Sequence, residues 1–465
     1  MTSVQPGSPA SPPQPEASRP QVSPQDGFSW RRFLVMGGII VLLAAGAVVM
    51  WWATGYRLGP RATIIGVSAA ILPVPFLVAA FLWLGRYNPK PAKYLVFCFG
   101  WGACVATSVA LGVNTLGGYL YSKVDWPWAP PQGQTWADLF TATTVAPVIE
   151  ESMKALGPLL IFWFRRRHFT GMVDALLYCG LSAVGFAMVE NILYLGRGYA
   201  EGSHSGGVAG GAMLVTITFV GRILFSAFAH PLFTSMTAIG LGFSRRRARR
   251  RAARWLLPIA MLLVAMLLHA SWNLLASMGA AVYFSGYLSV MMPIFFSAVG
   301  GALWVRASEA RLAVAVLADY VDAGWFSPPE IAALATYRRR TSARRWARRV
   351  AGDAGIKAMR DYQHLATQLA LLRDANRRGV SHPDDGARAQ ALLEAIVACR
   401  EVFANADPAM PRAMWDGRYY QIQFPDGSVR QVNPPAAPVM PMPIIVAPAP
   451  PPPPPPGVPW SPRPY

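Results

Sequence analysis

Charged side chains are scarce in this sequence. They make up 14% of its 465 residues, against about 25% in an ordinary soluble domain. Acidic residues are scarcer still, 23 against 42 lysines and arginines. A chain this poor in charge, 53% hydrophobic and with a mean hydropathy of +0.31, is not an ordinary soluble globule and is expected to cross a membrane several times. Cysteine is sparse too: Cys98, Cys104, Cys179 and Cys399 show no paired metal spacing, which argues against a disulfide framework. No HExxH pattern occurs, and the apolar segments show no internal repeat. A cleavable signal peptide is not expected, because the polar, proline-rich residues 1–27 precede the first apolar run.

What is abundant is arginine, and its placement is informative. The net charge of +19 could suggest nucleic-acid binding. However, seven arginines cluster between Arg245 and Arg254 and seven more between Arg338 and Arg349, and both groups adjoin or follow apolar segments. Such groups set membrane topology and touch anionic headgroups, so no nucleic-acid partner is expected. Eight segments are long enough to span a bilayer, near 33–53, 62–84, 94–117, 137–164, 172–195, 213–241, 255–277 and 282–305. Backbone amides in lipid must be satisfied internally, so the predicted fold class is all-α, a polytopic helix bundle. Arg31 and Arg32, Arg86 with Lys90 and Lys93, Arg165 to Arg167, the Arg245 group, and Arg306 with Arg311 all fall on one side if eight spans are counted. That predicts a multi-pass cell-membrane protein with both termini in the cytoplasm.

Four regions follow from composition. Residues 1–27 form a disordered tail, 28–305 the membrane domain, 306–432 a mostly helical cytoplasmic region ending in a hairpin, and 433–465 a disordered proline-rich tail. The hairpin is read from RYYQIQFPDGSVRQV at 418–432, where strand residues flank a Pro-Asp-Gly turn.

Five ionisable side chains interrupt the apolar segments: Glu150, Glu151, Glu190, His230 and His269. Each charge at a helix centre costs roughly 2.5–3.5 kcal/mol to insert, so a shared polar site is the economical explanation. Glu150 and Glu151 lie near the middle of the fourth segment, with Lys154 one turn on to offset the charge of Glu150. His230 and His269 lie at a similar depth on the sixth and seventh segments, and Asn273 is one turn beyond His269. Glu190 and Asn191 lie about 9 Å off the midplane, level with Arg222. An ion pair between Glu190 and Arg222 is therefore expected, as support rather than chemistry. Asp174, near the end of its segment, is expected to be solvated.

These residue types suit hydrolysis. A peptide bond in a membrane is cleaved by a water held in a polar pocket, a base to take its proton, and donors for the oxyanion. Glu150 with His230 could activate water while His269 and Asn273 face the oxyanion. Glu150, His230 and His269 equally match a three-ligand zinc shell with an open position, so a requirement for zinc or for no cofactor stays open at this point. Ser226 is the nearest hydroxyl nucleophile to His230 and lacks a clear base partner. An acid–histidine set could instead relay protons in a transporter or channel, although such carriers usually show internal repeats.

The motifs EESMK (Glu150, Glu151, Lys154), GFAMVEN (Gly185 to Asn191), Arg222 with His230, and HASWN (His269, Trp272, Asn273) together resemble the PrsW family of intramembrane proteases. That family lies within a wider clan that includes the CAAX-processing and bacteriocin-immunity enzymes. The resemblance covers roughly residues 30–305 and implies an endopeptidase acting on membrane-anchored proteins, often regulators such as anti-sigma factors. It implies that Glu150 and His230 activate water and that His269 and Asn273 form the oxyanion hole. Related enzymes carry EExxxR where this chain has EExxK, which points away from prenylated substrates. The family has been described both as metalloprotease and as glutamic protease.

Overall fold

The computed structural model describes residues 30–123, 133–246, 251–322, 325–326, 328–379, 383–404, 412–415, 418–423, 429–432 and 444–445. The first tail, and all of the second except 444–445, lie outside the described residues. Among the described residues, five helical stretches are long and apolar enough to cross a membrane: Phe33–Leu84, Ala92–Lys123, Met172–Ser244, Trp255–Ser277 and Ala280–Val321. The helix at 133–164 is not among them, since Glu150, Glu151 and Lys154 interrupt its apolar run.

The two longest of the five stretches reverse direction instead of making one straight passage. At 1.5 Å per residue, 52 residues reach about 78 Å and 73 residues about 110 Å, whereas hydrocarbon is about 30 Å thick. Each reverses at a glycine. Gly59 has φ 77°, and the Thr63 hydroxyl lies 3.4 Å from the Thr54 carbonyl, nine residues back, which a continuous helix could not allow. In the second stretch the reversal falls at Gly206 and Gly207, the latter with φ 60° and ψ −154°, a conformation open to glycine. A Cβ on Gly202 would lie 2.3 Å from the Gly210 carbonyl oxygen, so the two arms touch through their backbones. The glycine-rich residues between the apolar segments 172–195 and 213–241 are therefore helical up to the turn.

The helices that frame the site are held by equally close contacts. A Cβ on Gly102 would lie 1.9 Å from the Ser182 carbonyl oxygen, and one on Gly185 would lie 2.1 Å from that of Phe99. The Ser182 hydroxyl donates to the Lys154 carbonyl at 2.8 Å, and the Trp101 indole to that of Met153 at 2.8 Å. Trp101, Val105, Ala106 and Phe186 form the apolar floor beneath. Helix Ala146–Phe164 is thus fixed in depth and rotation by its neighbours. Among the described residues, π-turns interrupt four helices, at Trp101–Ala106, Thr141–Val145, Val220–Phe225 and Tyr287–Met291. Wide turns of this kind often sit beside functional sites.

Asp174 is buried, not solvated. It accepts from the backbone N–H and hydroxyl of Thr170, both at 2.7 Å, and pairs with Lys90 at 2.7 Å. It therefore fastens the turn at Thr170 to the first turn of its own helix and ties down the segment before Ala92.

Met292–Leu317 runs without a break into a second apolar core. Leu317, Phe326, Leu334, Trp346, Met359, Tyr362, Leu369 and Phe403 fill it. The helices are Asp319–Asp322, Pro328–Leu334, Tyr337–Arg377 (turned at Gly352, φ 61°) and Asp385–Phe403. Beyond them a four-stranded sheet runs in the order Val429–Val432, Tyr420–Gln423, Arg412–Trp415, Ile444–Ile445. The first two strands are antiparallel, with Tyr420 opposite Val432, and the Pro-Asp-Gly turn between them lies outside the described residues.

Candidate active site

Three helices bring Glu150, His230 and His269 together, with one candidate ligand atom of each within 4.8 Å of the others. All three residues are buried. The pairing of acids with imidazoles differs from the expectation. His230 does not bond Glu150; its Nε2 meets Glu190 Oε2 at 2.6 Å, and its Nδ1 meets Lys154 Nζ at 2.9 Å. An ammonium has only protons to give. Nδ1 is therefore the acceptor, and Nε2–H donates to Glu190.

His269 pairs with the second glutamate of the motif. Its Nδ1 lies 3.0 Å from Glu151 Oε1, while its Nε2 lies 3.9 Å from Glu150 Oε2. Glu151 is fully enclosed and also accepts from Lys154 Nζ at 2.8 Å and from the Thr234 hydroxyl at 2.9 Å. Its accepting capacity is largely used. Glu150 is different. Lys154 Nζ is 3.4 Å from its Oε2, and Asn114 Nδ2 is 3.3 Å from its Oε1. Glu150 thus has the longest contacts of the three carboxylates and retains capacity to accept from a water.

The physical reason for the re-pairing is rotational. Successive residues on a helix differ by 100°, so Glu150 and Glu151 leave the helix in different directions although their depths are alike: Glu151 meets His269 and Thr234 closely, while Glu150 turns toward Asn114. Depth along the membrane carries no information on rotation.

Glu190 is closer to the chemistry than its position off the midplane implied. Arg222 Nη2 donates to Glu190 Oε2 at 2.6 Å, and Arg222 Nε to Asn191 Oδ1 at 3.2 Å, with the guanidinium 3.6 Å over the Tyr194 ring. Arg222 and His230 are eight residues apart, about 12 Å on a regular helix. The π-turn Val220–Phe225 and the break at Ser226, whose φ is −129°, let both reach one carboxylate oxygen. The Ser226 hydroxyl donates to the Gly221 carbonyl at 2.9 Å and is a structural donor.

Asn273 Nδ2 donates to the Ala142 carbonyl at 2.7 Å, inside the π-turn Thr141–Val145. It therefore fastens the His269 helix to the segment before Glu150. Lys154 is the hub of the cluster. It is fully buried, touches Glu150, Glu151 and His230, and lies 4.0 Å over the Phe186 ring. Phe233 stacks on His269 at 5.0 Å, and Trp272 joins Phe228, Tyr283 and Tyr287 to close the apolar side.

Two residues of the site carry no motif, Asn114 and Thr234. A lone amide in the apolar run 94–117 is the one trace of the first. The hydroxyl of Thr234, four residues after His230, has no such signal.

A model of the PrsW family intramembrane metalloproteases matches residues 90–298, which hold every residue of this cluster. Over these residues the chain is similar to the PrsW family. A protein named Protease PrsW, from Clostridioides difficile (strain 630), is 29% identical over 131 residues. That alignment covers 26% of this chain and 48% of the relative, so the chain spans about half the length of the curated relative it matches. No solved structure matches.

The family description raises a metal, and the donors here fit one. Each histidine gives one ring nitrogen to a carboxylate, His230 to half-buried Glu190 and His269 to buried Glu151, which is the outer-shell arrangement of metal-binding imidazoles. His230 Nδ1, His269 Nε2 and a Glu150 oxygen are left as ligands for a zinc-like ion with an open position. The Lys154 ammonium rests against two of these three donors. A metal and this ammonium therefore compete for the same lone pairs.

Proposed function

We propose that this protein is an intramembrane endopeptidase that cuts membrane-anchored proteins, regulators of the anti-sigma type among them, with a water activated by Glu150. One observation carries the proposal: the approach of Glu150, His230 and His269 from three helices into one enclosed cluster. Glu150 takes the proton of a bound water, the hydroxide attacks the substrate carbonyl, and the protonated Glu150 then gives that proton to the departing amine as the C–N bond breaks. His269, as an imidazolium steadied by Glu151, donates to the oxyanion, and Asn273 adds the N–H that Ala142 does not use. Arg222 and Glu190 hold His230 in its tautomer, and Lys154 balances the carboxylates. A metal bound at Glu150, His230 and His269 would supply Lewis acidity and a more acidic water. The transporter reading is not favoured by the family match.

The same reading gives eight passages, with both termini and the C-terminal helices in the cytoplasm. The reversals at Gly59 and Gly207 support it, because each divides a stretch into two arms. The basic loops support the orientation. Cysteine-accessibility mapping at residues 57 and 204 against 165 and 311 tests it. Labelling of the first two from the outside is expected, and labelling of the second two from the outside would refute it.

The activity is tested by reconstituting the protein with tagged single-span substrates. Glu150→Gln and His269→Ala are expected to lower cleavage by at least about 100-fold, the usual contribution of a general base. Proton or solute flux without cleavage would overturn the proposal. Chelation of the reconstituted protein, with zinc added back, decides the metal question: full cleavage in metal-free buffer assigns the water to Glu150 alone.

A further inference from the structure

Where the stretch Phe33–Leu84 ends and helix Met292–Leu317 meets the C-terminal helices, four arginines gather around two tyrosines and a tryptophan. Arg306 is only 7% exposed. Its guanidinium lies 3.6 Å over the Trp83 ring and 4.8 Å from the Tyr87 ring. Its Nε and Nη2 are buried without a hydrogen-bond partner among the described residues. Arg340, 4.7 Å from the same Tyr87 ring, donates to the Leu334 and Gln363 carbonyls and the Thr367 hydroxyl. Arg86 lies 4.1 Å over the Tyr337 ring and donates to its hydroxyl. Arg344 donates to the Gln363 side chain at 2.7 Å.

Every acceptor in that set is neutral. Glu309, three residues after Arg306, lies against Gly171, and nearby Lys90 is already paired with Asp174. Burial lowers the Arg340 guanidinium to about 10, and neighbouring Arg344 lowers it further against the opposing effect of Tyr87. A buried charged donor left unpaired is costly, and like charges around it add repulsion. An anion between them relieves both penalties. The surroundings point to the source of that anion: Trp83 and Trp304 face outward beside Leu82 and Leu303, all exposed. Tryptophans in such a belt mark the headgroup level of a bilayer.

We propose that this cluster is a binding site for the phosphate of an anionic phospholipid, with Arg306 Nε and Nη2 as its donors and Arg86, Arg340 and Arg344 supplying the field. A bound lipid of this kind bridges the membrane helices and the C-terminal helices.

The test uses the full chain reconstituted in nanodiscs of phosphatidylcholine with a minor fraction of phosphatidylglycerol. Native mass spectrometry reads the lipid retained after detergent exchange. Preferential retention of phosphatidylglycerol is expected, falling about tenfold in Arg306→Gln, the worth of a charge-assisted hydrogen bond. Arg348→Gln, an exposed position on the same helix as Arg340, is expected to leave retention unchanged. Equal retention of both lipids, or unchanged retention in Arg306→Gln, would overturn the proposal. Displacement by inorganic phosphate would assign the site to a soluble phosphate and overturn the lipid source. Should Arg306→Gln not fold, photo-crosslinking with a diazirine phosphatidylglycerol decides on the wild type: labels at 83–87 and 304–306 are expected, and labels confined elsewhere refute it.

Discussion

Lys154→Met removes the one ammonium that joins Glu150, Glu151 and His230 while keeping the volume and the apolar packing on Phe186. Coulomb's law at an effective dielectric near 20 gives gross attractions of about 6 kcal/mol at the 2.8 Å of the Glu151 contact and about 5 kcal/mol at the 3.4 Å of Glu150. Desolvation of the lysine offsets much of this, and removing one partner of a buried pair typically costs about 3–5 kcal/mol net. The loss of a desolvated cation–π contact adds up to about 2 kcal/mol. Equilibrium unfolding in mixed micelles should therefore show a destabilisation of about 3–5 kcal/mol or more. Glu151→Gln in the same background should recover part of it, since an amide needs no counter-charge and still meets His269 and Thr234. The coupling between the two substitutions should exceed about 1 kcal/mol. A loss below about 1 kcal/mol in the single variant, or strict additivity in the double, would show that the lysine does not balance these carboxylates.

Arg222→Lys keeps the charge but not the fork that reaches Glu190 and Asn191 together or the stacking on Tyr194. A drop of about tenfold in kcat with little change in KM is expected, because the effect passes through the orientation of His230; unchanged kcat would remove Arg222 from the machinery. Asn114→Ala withdraws the donor to Glu150 Oε1 and should lower cleavage several-fold while the melting temperature barely moves; a large fall in melting temperature at unchanged activity would make Asn114 a packing residue. Gly102→Ala or Gly185→Ala drives a methyl into a backbone carbonyl and should cost about 1–3 kcal/mol of stability, measured by the same unfolding assay. A neutral result at both positions would mean that the two helices are not in contact as described.

Much of the site could be read in the sequence because charge is conspicuous in an apolar run. Glu150, Glu151, Lys154, Glu190, Arg222, His230 and His269 all stand out by composition alone, and the structure gathers them into one cluster. Their partners could not be read. The pairs His230–Glu190 and His269–Glu151 depend on helix rotation, which π-turns at Thr141–Val145 and Val220–Phe225 reset by less than a full turn. Thr234 and Asn114 are uncharged and leave almost no compositional trace, yet each supplies a donor to a glutamate. The helical hairpin at Gly206 and Gly207 was hidden for another reason: glycine is a poor helix former in isolation, and only the approach of Gly202 to Gly210 explains why it is helical here.

The arrangement has an internal division of labour that follows from counting partners. Three glutamates face two permanent cations, Lys154 and Arg222, so the cluster is one positive charge short if both imidazoles are neutral. Glu190 is matched by Arg222 and Glu151 by Lys154, each at 2.8 Å or less. The deficit therefore falls on Glu150, whose nearest cation is 3.4 Å away and already committed to its neighbour. A carboxylate in that position favours whatever brings positive charge to it: a proton taken from water, an imidazolium at His269, or a metal ion. All three fit the proposed hydrolysis. The two outer pairs hold the histidines still, and the one under-compensated glutamate is the group that the proposed reaction would use to accept a proton from water.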